Sequence, residues 1–214
     1  MSPNIILDSD WTAVYILLDK SGSMTTLNPE NTAQQVTNLV QEQRGGKVTV
    51  TAATFSDTYN IIKKNVNGKD FYITANDIHP DGPTALQDSL YRLIDDAGRE
   101  LDQMTDVRPG RIVIIVLTDG DENASVGEYA GEPGRIKLAE KIKHQQDVYN
   151  WIFYFLGTNI DAINTGKRYG IDSRTCINYS NSQQGCTNVI QSASQALNRV
   201  RSSNLTVSNN NMNN

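Results

Sequence analysis

The chain is short of the features that would take it out of the class of ordinary folded domains. Cysteine occurs twice in 214 residues, as Cys176 and Cys186. Two thiols in a chain of this size make neither a disulfide scaffold nor a zinc site. Reduced thiols are expected, with a bridge left open only for oxidising surroundings. No run approaches the roughly 20 apolar residues that cross a bilayer. The opening Met1-Ser2-Pro3-Asn4-Ile5-Ile6-Leu7-Asp8 carries neither a basic leader nor a cleavage pattern. The expectation is a cytoplasmic protein with no membrane partner. Positive charge is also scarce: 19 Lys and Arg stand against 24 Asp and Glu, a net charge of −5. The basic residues are scattered, which excludes a surface that tracks nucleic-acid phosphates. Neither a Gly-x-x-x-x-Gly-Lys-Ser/Thr loop nor a Gly-x-Gly-x-x-Gly turn follows the first strand, so nucleotide hydrolysis and dinucleotide redox chemistry have no motif to stand on.

What is present is a regular alternation of strand and helix patterns. Val14-Tyr15-Ile16-Leu17-Leu18 and Ile112-Val113-Ile114-Ile115-Val116-Leu117 are unbroken apolar runs, the mark of strands covered on both faces. Ala33, Val36, Leu39 and Val40 recur at helical spacing, with Gly45-Gly46 predicted to end that helix. Lys47 to Phe55 and Tyr59 to Val66 read as strands, and the link between them is too short for anything but an antiparallel hairpin. Leu86, Leu90, Leu93, Ile94, Ala97 and Leu101 form the strongest helical stripe. Ile136, Ala139 and Ile142 mark another helix, Trp151 to Leu156 and Thr175 to Tyr179 two more strands, and Val189 to Val200 a closing helix. The predicted fold is a doubly wound, Rossmann-like α/β sheet. It has about six mostly parallel strands, one antiparallel edge strand, and helices on both faces. One domain is expected over residues 1–202, with an Asn-rich flexible tail over 203–214.

In such sheets ligands bind beyond the carboxyl ends of the strands, where crossovers part to opposite faces. Both apolar runs end there in an aspartate: one enters Asp19-Lys20-Ser21-Gly22-Ser23, the other Asp119-Gly120-Asp121-Glu122-Asn123. Thr84 opens the long helix between them, where threonine caps well. Three hydroxyls and two carboxylates can converge on one point. These are hard oxygen ligands, suited to Mg²⁺, Mn²⁺ or Ca²⁺ rather than to zinc. Ser21, Ser23 and Thr84 would bind directly, and Asp19 and Asp119 would hold waters and hydroxyl protons. Three neutral ligands leave the ion under-neutralised and attractive to an incoming carboxylate.

The pattern Asp19-x-Ser21-x-Ser23, then Thr84, then Asp119-Gly120 resembles the metal-ion-dependent adhesion site of von Willebrand factor A domains. The likeness extends to the strand before Asp19, to Met24, to Thr84-Ala85-Leu86 and to Leu117-Thr118, and it runs from about Trp11 to Val200. It implies direct ligation by the two serines and Thr84, water-mediated or alternating roles for Asp19 and Asp119, and a partner Glu or Asp as the sixth ligand. Pro83 departs from the glycine common at that position. The stretch Trp151 to Ala162 looks like the free-standing members of bacteria and their phages.

The resulting expectation is a non-enzymatic, metal-dependent protein-binding module with no catalytic residues. The alternatives are a structural or assembly protein, such as a phage virion component, and a metal-dependent hydrolase. A hydrolase lacks support: the position two after Asp19 is Ser21 rather than a second carboxylate, and His79 has no orienting partner that would make it a base. His144, Asp81, Asp121 and Glu122 read as solvated surface residues.

Overall fold

In the computed structural model, which describes residues 5–158 and 161–202, the two apolar runs become neighbouring parallel strands at the centre of one sheet. In chain order the strands and helices are β1 (Ile6–Asp19), α1 (Pro29–Gln41), β2 (Lys47–Phe55), β3 (Tyr59–Asn67), α2 (Leu86–Asp102) and β4 (Val107–Thr118), followed by α3 (Gly131–Tyr149), β5 (Ile152–Gly157), α4 (Ala162–Arg168), β6 (Cys176–Asn178) and α5 (Gln183–Ser202). The sheet order is β3-β2-β1-β4-β5-β6, and only the edge strand β3 runs antiparallel.

Side chains alternate across a strand, so each apolar run feeds two cores. Val14, Ile16 and Leu18 of β1 pack with Val36, Leu39 and Val40 of α1 and Val189, Ile190 and Leu197 of α5. Ala13, Tyr15 and Leu17 face the other way, against Leu86, Leu90, Leu93 and Ile94 of α2 and Leu138 and Ile142 of α3. Cys186 belongs to the first core and Cys176 to the second. The sheet lies between them, and both thiols are buried and free. The register matters most at the strand ends: Val14 pairs with Val113 and Leu18 with Leu117, while Asp19 pairs with Phe55 of β2. The crossovers leave β1 and β4 toward opposite ends of the sheet, so the chain parts at the point where Asp19 and Asp119 emerge.

Three local expectations are corrected. Helix α1 stops at Gln41, capped by Glu42, before the glycines. Gly45 and Gly46, at φ +70° and +59°, instead turn the chain into β2. A Cβ on Gly46 would sit 2.3 Å from the Asp10 carbonyl oxygen, so only glycine fits there. In α3 the inward positions are Gly134, Leu138 and Ile142, a spacing of four, and Ile136 points to solvent. Helix α4 was not anticipated. It is seven residues long and turns only Ala162 and Gly166 inward, so it has no apolar stripe to read. The Asn-rich stretch 203–214 lies outside the described residues. No helix among the described residues is long and apolar enough to cross a membrane.

Leu90 has no accessible surface and sits mid-helix in the α2 stripe. Leu90→Ala is expected to cost about 2–5 kcal/mol through lost contacts and the cavity left behind. Urea unfolding checks this: the midpoint should fall with the slope unchanged. A loss below about 1 kcal/mol would contradict the packing of α2 on the sheet.

Candidate metal centre

Asp19 is the last residue of β1 and is 2% exposed. Because Leu18 pairs with Leu117, the next step outward along both strands sets Asp19 beside Thr118. The Thr118 hydroxyl donates to Asp19 Oδ2 at 2.5 Å, and the Ser21 backbone N–H donates to Oδ1 at 2.7 Å. The carboxylate therefore folds the turn after β1 over itself, and the Gly22–Thr26 segment continues as a 3-10 turn. That turn presents the Ser21 and Ser23 hydroxyls together, Oγ to Oγ 3.0 Å. Ser23 Oγ also donates to Asp119 Oδ1 at 2.5 Å, tying the first loop to the end of β4.

The loop carrying Thr84 is fixed by backbone bonds to its neighbours. Asp81 N–H donates to the Lys20 carbonyl at 2.7 Å, and Gly22 N–H to the Gly82 carbonyl at 2.8 Å. Ala85 N–H donates to the Ser56 carbonyl at 2.7 Å. Gly82 has φ +74°, a conformation that suits glycine. Pro83 lies between these anchors, where none of the bonds needs its missing N–H.

Thr84 does not cap α2, contrary to the sequence expectation. The N-cap is Ala85, and it makes no side-chain cap bond. The free N–H groups are met from the β4–α3 loop instead. Glu122 Oε2 accepts from Gln87 N–H at 2.7 Å and Ser125 Oγ from Asp88 N–H at 3.0 Å, while Asn123 Oδ1 takes the Thr84 N–H, just ahead of the helix, at 2.8 Å. The Thr84 hydroxyl is thereby left for other work. A Cβ on Gly120 would stand 3.3 Å from both Ser23 Oγ and Thr84 Oγ1, which shows how closely these hydroxyls approach the same point.

The five residues singled out in the sequence thus meet at one place, and four of them, Asp19, Ser21, Thr84 and Asp119, are buried, with Ser23 on the open rim. Asp81 and Asp121 stay exposed at the margin, and His79 and His144 are exposed too, with no serine bonded to either. Sequence reasoning missed Thr118 and the capping trio Glu122, Asn123 and Ser125. Aligning the ends of the two apolar runs would have found Thr118. The trio acts across 35 to 39 positions and leaves no local pattern.

Two buried carboxylates side by side need compensation, and among the described residues neither forms an ion pair. Burial pushes the Asp19 carboxyl above its usual range, against the opposing pull of bonds from Thr118 and Ser21. Burial likewise raises Asp119; the Ser23 bond opposes that shift and the negative charge of Asp19 adds to it. Asp119 Oδ2 has no hydrogen-bond partner among the described residues. An orphaned carboxylate oxygen beside three converging hydroxyls fits a hard divalent cation. Among the described residues no group of three or more His, Cys, Asp or Glu side chains forms an alternative centre.

The von Willebrand factor type A domain profile matches residues 13–165, which take in the second half of β1, the Thr84 loop and all of β4. The chain belongs to this family. Comparison with curated proteins finds no match. Among solved structures, a von Willebrand factor type A protein from Catenulispora acidiphila is similar at a TM-score of 0.58 and 14% identity, covering 88% of this chain and 42% of that one. Proximal thread matrix protein 1 from the mussel byssus, in a structure described as having a zinc-occupied MIDAS motif, gives 0.55 and 18% identity over 87% of this chain and 45% of its own. The PilB minor pilin from Streptococcus sanguinis gives 0.57 and 11% identity, covering 88% of this chain and 61% of that one. At these identities the likeness is one of fold, and this chain spans less than two thirds of each of these neighbours.

Both folded-state carboxyls lie above their unfolded values, so the folded protein binds protons more tightly than the unfolded one. The contribution of this pair to metal-free stability is therefore greatest below the unfolded values and is lost as pH rises through the raised folded ones. Asp119→Asn removes the charge but keeps the shape. Without added metal at pH 7 it should raise the melting temperature by about 2 °C or more, the response of a domain this size to roughly 1 kcal/mol. Scanning calorimetry in EDTA checks this, and a lower melting temperature would contradict an uncompensated Asp119.

Proposed function

We propose that this domain is a non-enzymatic binding module. In this reading it holds one divalent cation, Mg²⁺ or its hard relatives Mn²⁺ and Ca²⁺, and captures a carboxylate of a protein partner there. The observation that carries the reading is the buried, unpartnered Asp119 Oδ2 set among the hydroxyls of Ser21, Ser23 and Thr84. These three hydroxyls would hold the ion directly, and Asp19 and Asp119 would orient them and balance its charge. Asp19 already does part of this by fixing the Ser21 loop, and Asp119 by accepting from Ser23. When bound, the cation supplies one open position to an anionic oxygen. Ser23 lies on the exposed rim, so an incoming carboxylate would approach from that side.

An all-oxygen set with three neutral ligands favours Mg²⁺ or Mn²⁺ over zinc in ordinary conditions. The zinc-occupied motif of the mussel protein supports a divalent ion at such a motif without fixing which one is used here. That neighbours include a matrix protein and a minor pilin supports a role in holding proteins together. The same module would serve an assembly role equally well, because the chemistry at the site is identical.

Titration calorimetry of the whole chain with Mn²⁺, in acetate and in chloride, tests the reading. One ion per chain is expected, with tighter binding when acetate is present. Thr84→Ala should weaken Mn²⁺ by about tenfold or more, roughly 1.4 kcal/mol, with the circular dichroism spectrum unchanged. Asp19→Ala is the poorer probe, since it also strands Ser21 N–H and removes the stronger of the two acceptors of the Thr118 hydroxyl. Absence of binding at millimolar Mn²⁺ with acetate would sink the proposal. Para-nitrophenyl phosphate and para-nitrophenyl acetate should be turned over no faster than in buffer, because in this reading the one carboxylate that accepts from a site serine, Asp119 from Ser23, is committed to balancing the ion rather than to taking a proton. Metal-dependent turnover lost in Ser21→Ala would make the domain a hydrolase instead.

A further inference from the structure

A shallow groove of about 290 Å³ runs between α3 and α4. Its floor is apolar, with Ile136 and Ala139 on the α3 side and Gly170, just past α4, on the other. A Cβ on Gly170 would stand 3.1 Å from the Ala139 carbonyl oxygen, so the chain after α4 meets α3 closely at the base. Gln146 Nε2 donates to the Gly170 carbonyl at 2.8 Å and holds this end in place. Ile136 is 46% exposed, while Leu138 and Ile142 of the same helix are wholly buried. Nearly half of this isoleucine is left in water, and covering it would be favourable.

The rim is cationic. Arg135, Lys143, Lys167 and Arg168 line it with a single acid, Glu140, in a chain whose net charge is −5. Arg135 is spent: two of its nitrogens hold Glu132, and it also donates to the Arg168 carbonyl. The other three are not. Lys167 is exposed and enters no ion pair among the described residues. Arg168 is 66% exposed and keeps one contact, at 3.5 Å, to the Glu132 that Arg135 already holds. Lys143 pairs with Asp147 one turn on, but both side chains are more than half exposed, and such pairs contribute little. Glu140 forms no ion pair with any of them.

We infer that this groove docks an acidic segment of a protein partner, a stretch in which Asp or Glu side chains flank one apolar side chain. The apolar side chain covers Ile136 and Ala139, and the carboxylates lie against Lys167, Arg168 and Lys143. A cationic rim on an acidic protein selects the sign of its partner. The apolar floor offers nothing to a sugar-phosphate backbone, which sets a protein segment ahead of nucleic acid. Arg135 and Arg168 also line a cleft of about 520 Å³ that reaches Gly120, whose Cβ position would stand 3.3 Å from Ser23 Oγ and Thr84 Oγ1. The cleft thus borders both the groove and the metal centre. The inference goes beyond the binding-module reading and does not need it, since no group of the groove is a proposed metal ligand.

The test uses the full chain labelled with ¹⁵N, in EDTA so that nothing binds through a metal ion. The probe is acetyl-Glu-Glu-Leu-Glu-Glu-amide at millimolar concentration. It is compared with the same peptide carrying Gln for each Glu, the same peptide carrying Ser for Leu, and pentathymidylate. The acidic peptide should shift the amides of Ile136, Ala139, Lys167 and Arg168. Lys167→Gln should weaken its binding about threefold, the loss of one exposed ion pair, and the Gln peptide should bind about tenfold more weakly or worse. Ile136→Gln should weaken the leucine peptide about threefold and leave the serine peptide unchanged. Both substitutions change exposed residues, so both variants should fold. Lys69→Gln, the same charge change at an exposed site just past β3, should have no effect. No shift with the acidic peptide, an equal response to the Gln peptide, or equal losses from Lys69→Gln and Lys167→Gln would overturn the groove assignment. So would pentathymidylate moving the same amides as strongly, which would make the groove a phosphate site. None of these outcomes touches the metal reading, which the Mn²⁺ titration decides alone.

Discussion

Two aspartates that end adjacent parallel strands, Asp19 and Asp119, set the terms for everything around them. Both are buried and both are lifted out of the ordinary carboxylate range, and the charge of the first raises the second. Burial of like charges is costly unless something neutralises them. The fold offers hydrogen bonds from Thr118, Ser21 and Ser23, but among the described residues no cationic side chain pairs with either carboxylate and one oxygen has no partner. A domain that needed only stability would have apolar or neutral residues at these strand ends. In the proposed reading a divalent cation supplies that neutralisation.

The remaining site geometry follows from keeping three hydroxyls free to face that point. Thr84 would be lost to helix capping if nothing else met the N–H groups of α2. Glu122, Asn123 and Ser125 do this from the next loop, so that the capping machinery of one helix comes from the loop that also carries Asp119 and Gly120. Backbone bonds from Gly22 to Gly82 and from Asp81 to Lys20 then lock the first loop to the second. With the Ser23–Asp119 bond, these contacts join the three loops to one another. In the proposed reading, a partner would meet loops already tied to one another, which would limit the entropy lost on binding.

Much of this was legible in the sequence because its signals are local or periodic. The two fully apolar runs gave the central strands, the short link after Phe55 gave the antiparallel edge, and the stripe from Leu86 to Leu101 gave α2. The five site residues sit at strand ends and a helix start, positions that such patterns locate well. What escaped was either non-local or unpatterned. The Glu122 cap depends on a contact between loops far apart in sequence, and Thr118 on the register of two strands. Helix α4 buries only an alanine and a glycine, and Ile136 is an apolar residue that the fold leaves in solvent. The orphaned oxygens of Asp119 and Gln87 exist only in three dimensions.

The central claim is that a divalent cation completes the Asp19 and Asp119 pair, and anomalous scattering from crystals grown with Mn²⁺ tests it most directly. The account predicts one peak per chain, about 2.0–2.3 Å from the hydroxyl oxygens of Ser21, Ser23 and Thr84, distances ordinary for a small hard cation. A map with no peak there, or with Mn²⁺ bound only at exposed carboxylates such as Asp121, would contradict it.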